Sequence, residues 1–459
     1  MQETTTAAAV GAVTGPVTAE RVADVIAALA REDGDLVALT RDLNAPDVAD
    51  LLALLEPDQR VQLIQRLGPA FDVEVFSELD ETVRDQLSEA IPNETLAKVV
   101  GELETDDAAY LIEGLASEDR KEILDALETS DRVALERNLE YPEETAGRIM
   151  QSDFVAVPPF WTVGQVIDHM RESEELPDTF SDIFVVDPTH RVLGTIDLSR
   201  LLRTKRQVGI DQIMSTERHL VLATSDQEEV ARQFERHDLK SAPVVDANRR
   251  LVGVVTVDDM VDVMRDEADE DIKALAGVGD EDVTDNVVDT ARSRITWLVV
   301  NLFTAMLAST VIRMFDATIS QMIALAALMP IVASMGGNAG TQTMTVTVRA
   351  LATNKLGPVN AIRMVTREAL VGLLNGLVLA LIVSVVVFFW FGSGKLGLVI
   401  GAAMIVNLMA AALAGILVPM TLNRYGLDPA PASGVFVTTV TDVVGFFAFL
   451  GLAALWMTK

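Results

Sequence analysis

The side chain best placed to do chemistry is Asp442, a lone carboxylate in the run VTTVTDVVGFFAF near the C-terminus. It lies roughly a third of the way into an otherwise apolar span, where a charge costs a few kcal/mol or more unless water or a cation attends it. A carboxylate nearer the helix end could instead snorkel to the interface. A second unusual run lies upstream, where Pro330, Gly336, Gly337, Asn338 and Gly340 interrupt an apolar stretch and Thr341, Gln342, Thr343, Thr345 and Thr347 follow. Helix breakers survive at membrane depth where the freed carbonyls face protein or a wet cavity, or where small residues let helices pack closely. Together the two runs suggest a polar path lined by two spans, with Asp442 as its fixed charge, selective for cations.

The elements that must carry this path are apolar. Uncharged stretches run over 295–312, 317–348, 369–394 and 396–423, and 429–458 holds a single charge, Asp442. About 20 apolar residues cross a bilayer, so five spanning helices are expected. Arg292, Arg294, Arg349, Lys355, Arg363, Arg367 and Arg424 fall on one side of these spans, and Arg313, Lys395 and Lys459 on the other. The richer side is expected to be cytoplasmic, which leaves the C-terminus external. The first residues, MQETTTAAAVGAV, have no basic n-region or long apolar core of the kind that directs secretion.

Composition agrees with a chain of two halves. Its 459 residues exceed one ordinary core, and 50% are hydrophobic. Residues 294–459 carry a net charge of +5, whereas 1–293 carry −37. Such a polyanion repels nucleic acid and attracts cations. With no cysteine, disulfides, thiolate metal sites and cysteine catalysis are excluded. Four histidines leave little room for imidazole metal chemistry, and neither a nucleophile–base constellation nor a Walker-type loop is present, so an enzyme is the least expected class.

The acidic half is modular. Residues 150–209 and 214–272 repeat one another, most plainly in FVVDPTHRVLGTIDLSRLL (184–202) and PVVDANRRLVGVVTVDDMV (243–261). Each copy opens on an Ile-Met pair, Ile149-Met150 and Ile213-Met214, and reads strand, turn, strand, amphipathic helix. Upstream, 17–140 reads as short helices such as DVADLLALLEP and DAAYLIEGLA, a small superhelix of weak repeats whose acids form mostly a solvated face. Between the repeats and the membrane half, VDDMVDVMRDEADEDIKAL (257–275) carries eight acids against Arg265 and Lys273. Like charges at helical spacing repel by a few tenths of a kcal/mol per pair, so the segment is either a solubilising linker or a place where cations sit.

These motifs resemble a known family. PIVASMGGNAGTQ (330–342), VRALA (348–352) and TDVVGFF (441–447) are similar to the MgtE magnesium channels and transporters, and the domain order matches over nearly the whole chain. The resemblance implies a multidomain membrane protein. Its parts would be a disordered tail (1–16), an all-α superhelical N domain (17–140), two α/β CBS domains (141–209 and 210–256), an acidic connecting or plug helix (257–290), and a five-helix transmembrane domain (291–459). It implies a homodimer with its pore on the two-fold axis, where two copies of Asp442 hold a hydrated Mg²⁺ and Asn338, Thr341, Gln342 and Thr441 supply neutral oxygens. Mg²⁺ dehydrates reluctantly and is commonly held through one or two carboxylates, which is compatible.

The same resemblance assigns regulatory Mg²⁺ to Asp106 or Asp107 in ELETDDAAYL, and to Asp226, Glu228, Asp238, Asp259, Asp262, Glu267, Glu270, Asp271 and Asp428. Where the family motif can carry a further acid, this chain has Tyr110 or Leu111. The repeats resemble CBS domains, and GVVTVDD (253–259) would place Thr256 and Asp259 on an adenine nucleotide such as ATP; GTIDLSR (194–200) is a weaker match. Asp259 is thus claimed by both ligands. The expected function is Mg²⁺ uptake across the cytoplasmic membrane, gated by cytosolic Mg²⁺. The alternatives are a proton- or sodium-coupled divalent-cation transporter and a membrane-anchored sensor.

Overall fold

A computed structural model describes residues 17–457 apart from 32, 33, 174, 175, 178, 218, 280–286, 354 and 357, so the expected tail over 1–16 lies outside the described residues. The chain forms two compact units, Met1–Glu267 and Ala268–Lys459.

In the first unit, residues 19–140 fold into short helices of 5 to 12 residues that share one apolar core. Arginines, Arg60 buried and Arg66 partly so, close two of them. Arg60 Nε donates to the carbonyls of Leu52 and Leu55, both at 2.9 Å, and Arg66 reaches the carbonyls of Ala28, Arg31 and Gly34. The last carbonyls of a helix have no partner within it, so a guanidinium from a later helix satisfies them and ties the helices together.

The two repeats form two small sheets. In the first, β1 (Ala156–Val157) pairs parallel with β2 (Asp182–Val186), which pairs antiparallel with β3 (Val192–Asp197). In the second, β4 (Val221–Leu222), β5 (Ser241–Val245) and β6 (Leu251–Thr256) repeat that order. The Ile-Met openings pack crosswise. Met150 and Gln151 lie against Gly253 of the second sheet, and Met214 and Ser215 against Gly194 of the first. A Cβ on Gly253 would stand 2.7 Å from Met150 Sδ, and one on Gly194 would stand 2.4 Å from the Ser215 carbonyl oxygen, so glycine is needed at both. The connecting helix Val257–Leu275 follows β6 directly.

Among the described residues the second unit contains five long helices: Val287–Met314, Ala324–Ala352, Pro358–Phe391, Gly394–Arg424 and Pro429–Met457. Four of them are long and apolar enough to cross a membrane; Ala324–Ala352 is not among these four, because its polar second half dilutes its hydropathy. That helix also corrects the expectation of an interrupted span. It runs unbroken through Pro330 and all three glycines. Its glycines serve packing instead: a Cβ on Gly336 would lie 2.3 Å from Asn407 Nδ2, and one on Gly340 would lie 2.6 Å from Val437. Close helix approach through small residues is what those positions provide. Gly337 meets open space.

Candidate ion sites

Glu104, Asp106 and Asp107 bring one carboxylate oxygen each to within 4.8 Å of one another at the start of the helix Thr105–Glu113. A helix N-terminus tolerates acids there through its dipole, though not three at such spacing without other help. From the connecting helix Asp259 comes close enough for its charge to act on all three. Asp259 Oδ2 also accepts from the Thr256 hydroxyl at 2.5 Å, so it caps its own helix while facing the N-domain acids.

The cost of this convergence shows in the protonation equilibria. Burial first, then the Asp259 charge, pushes Asp107 up from 3.8 to about 7. Burial is also the main cause that lifts Asp259 to about 6, while the bond from Thr256 opposes it. Asp106 is raised well above the carboxylate range by burial and Asp259, and Glu104 is raised by the same two causes. Asp106 Oδ1 is fully buried with no hydrogen-bond partner among the described residues. Four carboxyl groups with an orphaned oxygen among them either hold protons or bind a hard cation, for which oxygen ligands are the usual set.

The other expected regulatory acids are placed separately. Asp226 caps the helix Gln227–His237 by accepting from the amides of Glu228 and Glu229; Glu228 pairs with Arg232, and Asp238 closes that helix with φ 52°. Asp262 lies 3.5 Å from Arg265 and close enough to Glu78 to help raise the latter's pKa, after burial. Glu267 accepts from Gln227 Nε2 at 3.1 Å, and Glu270 is exposed. In the second unit, Asp271 sits 3.8 Å from Arg349; burial raises its pKa, Arg349 opposes this, and Asp428 reinforces it. Asp428 accepts from the Ala430 amide at the start of the last helix. At the position where the family motif can be acidic, the Tyr110 ring lies 3.8 Å from the guanidinium carbon of the buried Arg84, a cation–π contact.

A cavity of about 270 Å³ opens beside the two sheets. Thr256, Lys240, Ser241, Asp182, Phe154 and Phe184 line it, with Asp258 rather than Asp259 at its edge. Glu104 of the acid group lines the same cavity, and Thr256 links the two, forming part of the wall while its hydroxyl donates to Asp259. Lys240, the hydroxyls and the aromatic rings would favour a phosphate-bearing aromatic ligand, whereas Glu104, Asp153, Asp182 and Asp258 in the same lining repel its phosphates unless protonated or bridged by a cation.

In the membrane half, Asp442 is half-buried on the last helix. Asn338, Thr341 and Gln342 are exposed on Ala324–Ala352. Thr441 is fully buried and its hydroxyl donates to the Thr438 carbonyl. Adjacent helical residues point about 100° apart, whereas Thr438, four positions before Asp442, shares its face. Thr438 and Thr341 line one cavity of about 390 Å³ with Asn301 and Arg294. Gln342 lines a different one.

Residues missed in the sequence include Glu104, which lies inside the quoted acidic motif, and two in the membrane half. Asn407 is fully buried between Gly336 and Gly445, and its Nδ2 donates to the Val332 carbonyl at 2.8 Å. Its signal was an isolated amide within an uncharged run. Glu368 is buried as well, and was passed over because it borders the run 369–394.

Comparison with known proteins agrees with this anatomy. A family profile described as MgtE intracellular N domain matches residues 43–144, CBS domain profiles match 146–206 and 210–266, and a profile described as MgtE, divalent cation transporter, matches 329–452. The magnesium transporter MgtE of Enterococcus faecalis is 35% identical over 319 residues, 70% of each chain. That of Bacillus subtilis is 30% identical over 420 residues, 91% of this chain and 90% of the relative. Among solved structures, the cytosolic domain of the Mg²⁺ channel MgtE in complex with ATP is 31% identical with a TM-score of 0.49, covering 53% of this chain and 99% of that one.

Proposed function

Because the chain belongs to the MgtE family, we propose that it carries Mg²⁺ into the cell through a channel across the cytoplasmic membrane. The observation that carries the reading is Asp442, the one charged residue of the helix Pro429–Met457, half-buried beside a face of hydroxyl groups. In a homodimer two such carboxylates would meet on the two-fold axis and hold a hydrated divalent ion, with Thr438, Thr341 and Asn338 as acceptors for its waters. Mg²⁺ keeps its waters at such sites, so the pore need not strip the ion. The helix Ala324–Ala352 would complete five spans, its polar half turned to the path rather than to lipid. The basic loop residues support a cytoplasmic acidic half and an external C-terminus.

Gating would follow from the acid group. At high cytosolic Mg²⁺, ions bound among Glu104, Asp106, Asp107 and Asp259 would tie the N domain to the start of the connecting helix. That helix precedes the first long apolar helix in the chain, so its restraint would favour the closed pore. Loss of the ions would leave carboxylates that repel and release it. Mg²⁺ thus shifts the closed population by its differential affinity for that state. The cavity lined by Thr256, Lys240 and Phe154 would take an adenine nucleotide and adjust the same hinge.

The test is Mg²⁺ uptake into proteoliposomes under a set potassium diffusion potential. Uptake driven by voltage and the Mg²⁺ gradient alone supports a channel. Uptake that needs an imposed proton or sodium gradient supports a coupled transporter instead.

A further inference from the structure

Glu368 is a second carboxylate inside the membrane unit, and nothing in the transport path uses it. It lies at the start of the apolar run of Pro358–Phe391 with 8% of its surface exposed. No cationic side chain pairs with it among the described residues. The Thr343 hydroxyl, equally buried, lies 3.5 Å from its Oε2, at the limit of a hydrogen bond. A carboxylate removed from water needs more than one such contact, since its desolvation is otherwise uncompensated.

The surroundings are a built cavity. Glu368, Thr343, Gln342 and Asn375 line a space of about 190 Å³, whose remaining wall is apolar and includes Val371, Leu408 and Ala412. Its shape is held by close backbone approach. A Cβ on Gly372, one turn beyond Glu368, would lie 2.7 Å from the Ala412 side chain and 2.9 Å from the Leu408 carbonyl oxygen. A Cβ on Gly415 would lie 2.8 Å from both the Gly340 carbonyl oxygen and Thr343 Cβ. The helices carrying Thr343, Glu368 and Leu408 are therefore locked around the space.

We propose that Glu368, Thr343, Gln342 and Asn375 form a binding site for a small monovalent cation of the sodium class, separate from Asp442. All four side chains offer oxygen: a carboxylate, a hydroxyl and two amide carbonyls. Their single negative charge neutralises one positive charge. A divalent ion would leave an uncompensated charge in an apolar wall, and the few oxygens suit a sodium-sized ion better than a larger one. The bound ion neutralises Glu368 and cements the three helices. It acts on stability rather than on flux, so the site stands whether or not the transport reading does.

The experiment is thermal unfolding of the full-length protein in detergent at equal ionic strength in three media: sodium chloride with EDTA, choline chloride with EDTA, and choline chloride with Mg²⁺ and no chelator. Sodium is expected to raise the wild-type midpoint by several degrees over choline, and Glu368→Gln is expected to remove that increment while melting near wild type in choline. Asn375→Leu, at an exposed position, should shrink the same increment and serves if Glu368→Gln fails to fold. Equal midpoints in sodium and choline overturn the proposal, as does an increment that persists in both variants. A shift given by Mg²⁺ but not by sodium, and lost in Glu368→Gln, overturns the monovalent assignment.

Discussion

Asp259 of the connecting helix stands close enough to Asp106 of the N domain for its charge to raise that buried carboxyl's pKa, a contact between two acids that repel once both are ionised. With Asp107 and Glu104 beside them, the junction of these two elements is held by whatever neutralises it, a proton or a metal ion.

Its pH dependence has a definite sign. The pKa values of Asp107 (about 7) and Asp259 (about 6) lie above their ordinary 3.8, so the folded state holds protons that the unfolded state releases. In EDTA, the stability these groups contribute is present at acid pH and lost as pH rises from about 4 through 6 and 7. Mg²⁺ needs the ionised forms, so its stabilising effect should grow over the same interval. Thermal melts of the full chain at pH 5.5 and 8, with and without Mg²⁺, check this; an equal Mg²⁺ increment at both values would contradict it.

Mg²⁺ should also protect the connecting helix, residues 257–275, from protease, because it fixes that helix at Asp259. Limited proteolysis followed by mass spectrometry reads the cleavage. Equal cutting in Mg²⁺ and EDTA would remove the support for ion-held closure.

Neutralising the junction should uncouple it. Asp107→Asn or Asp259→Asn is expected to raise the internal Mg²⁺ needed to halve uptake by roughly 5- to 100-fold, the span of ordinary allosteric coupling. Thr256→Val should weaken nucleotide binding to the adjoining cavity, whereas Asp107→Asn should spare it, since Thr256 and not Asp107 lines that cavity. Titration with ATP distinguishes the two sites.

Asn407 fills the notch between Gly336 and Gly445 and holds the Val332 carbonyl. Asn407→Ala should cost about 2–3 kcal/mol through the cavity and the lost bond, read as a lower melting midpoint in detergent. A midpoint equal to wild type would show that the notch does not hold these helices together.

The modular order was legible because each part writes its own pattern: charge segregation, an internal repeat, and short helices with apolar residues at helical spacing. Less legible was how helices use their small residues. Gly336 and Gly340 read as breaks in a span, yet they meet Asn407 and Val437 from other helices, partners far away in sequence. Thr438, four positions before Asp442, shares its helical face, whereas Thr441 is buried with its hydroxyl on the Thr438 carbonyl. Among the acids, spacing along the chain did not show that Asp226 and Asp238 also cap the helix Gln227–His237, nor that Asp106, Asp107 and Asp259 come together from separate elements.

The central claim is that Asp442 stands in the path of the ion, and Mg²⁺ flux through purified Asp442→Ala tests it most directly. In liposomes held at a fixed inside-negative potential, the variant is expected to lose nearly all the Mg²⁺ uptake of wild type while eluting and melting like it. Undiminished uptake by a folded Asp442→Ala would contradict the account.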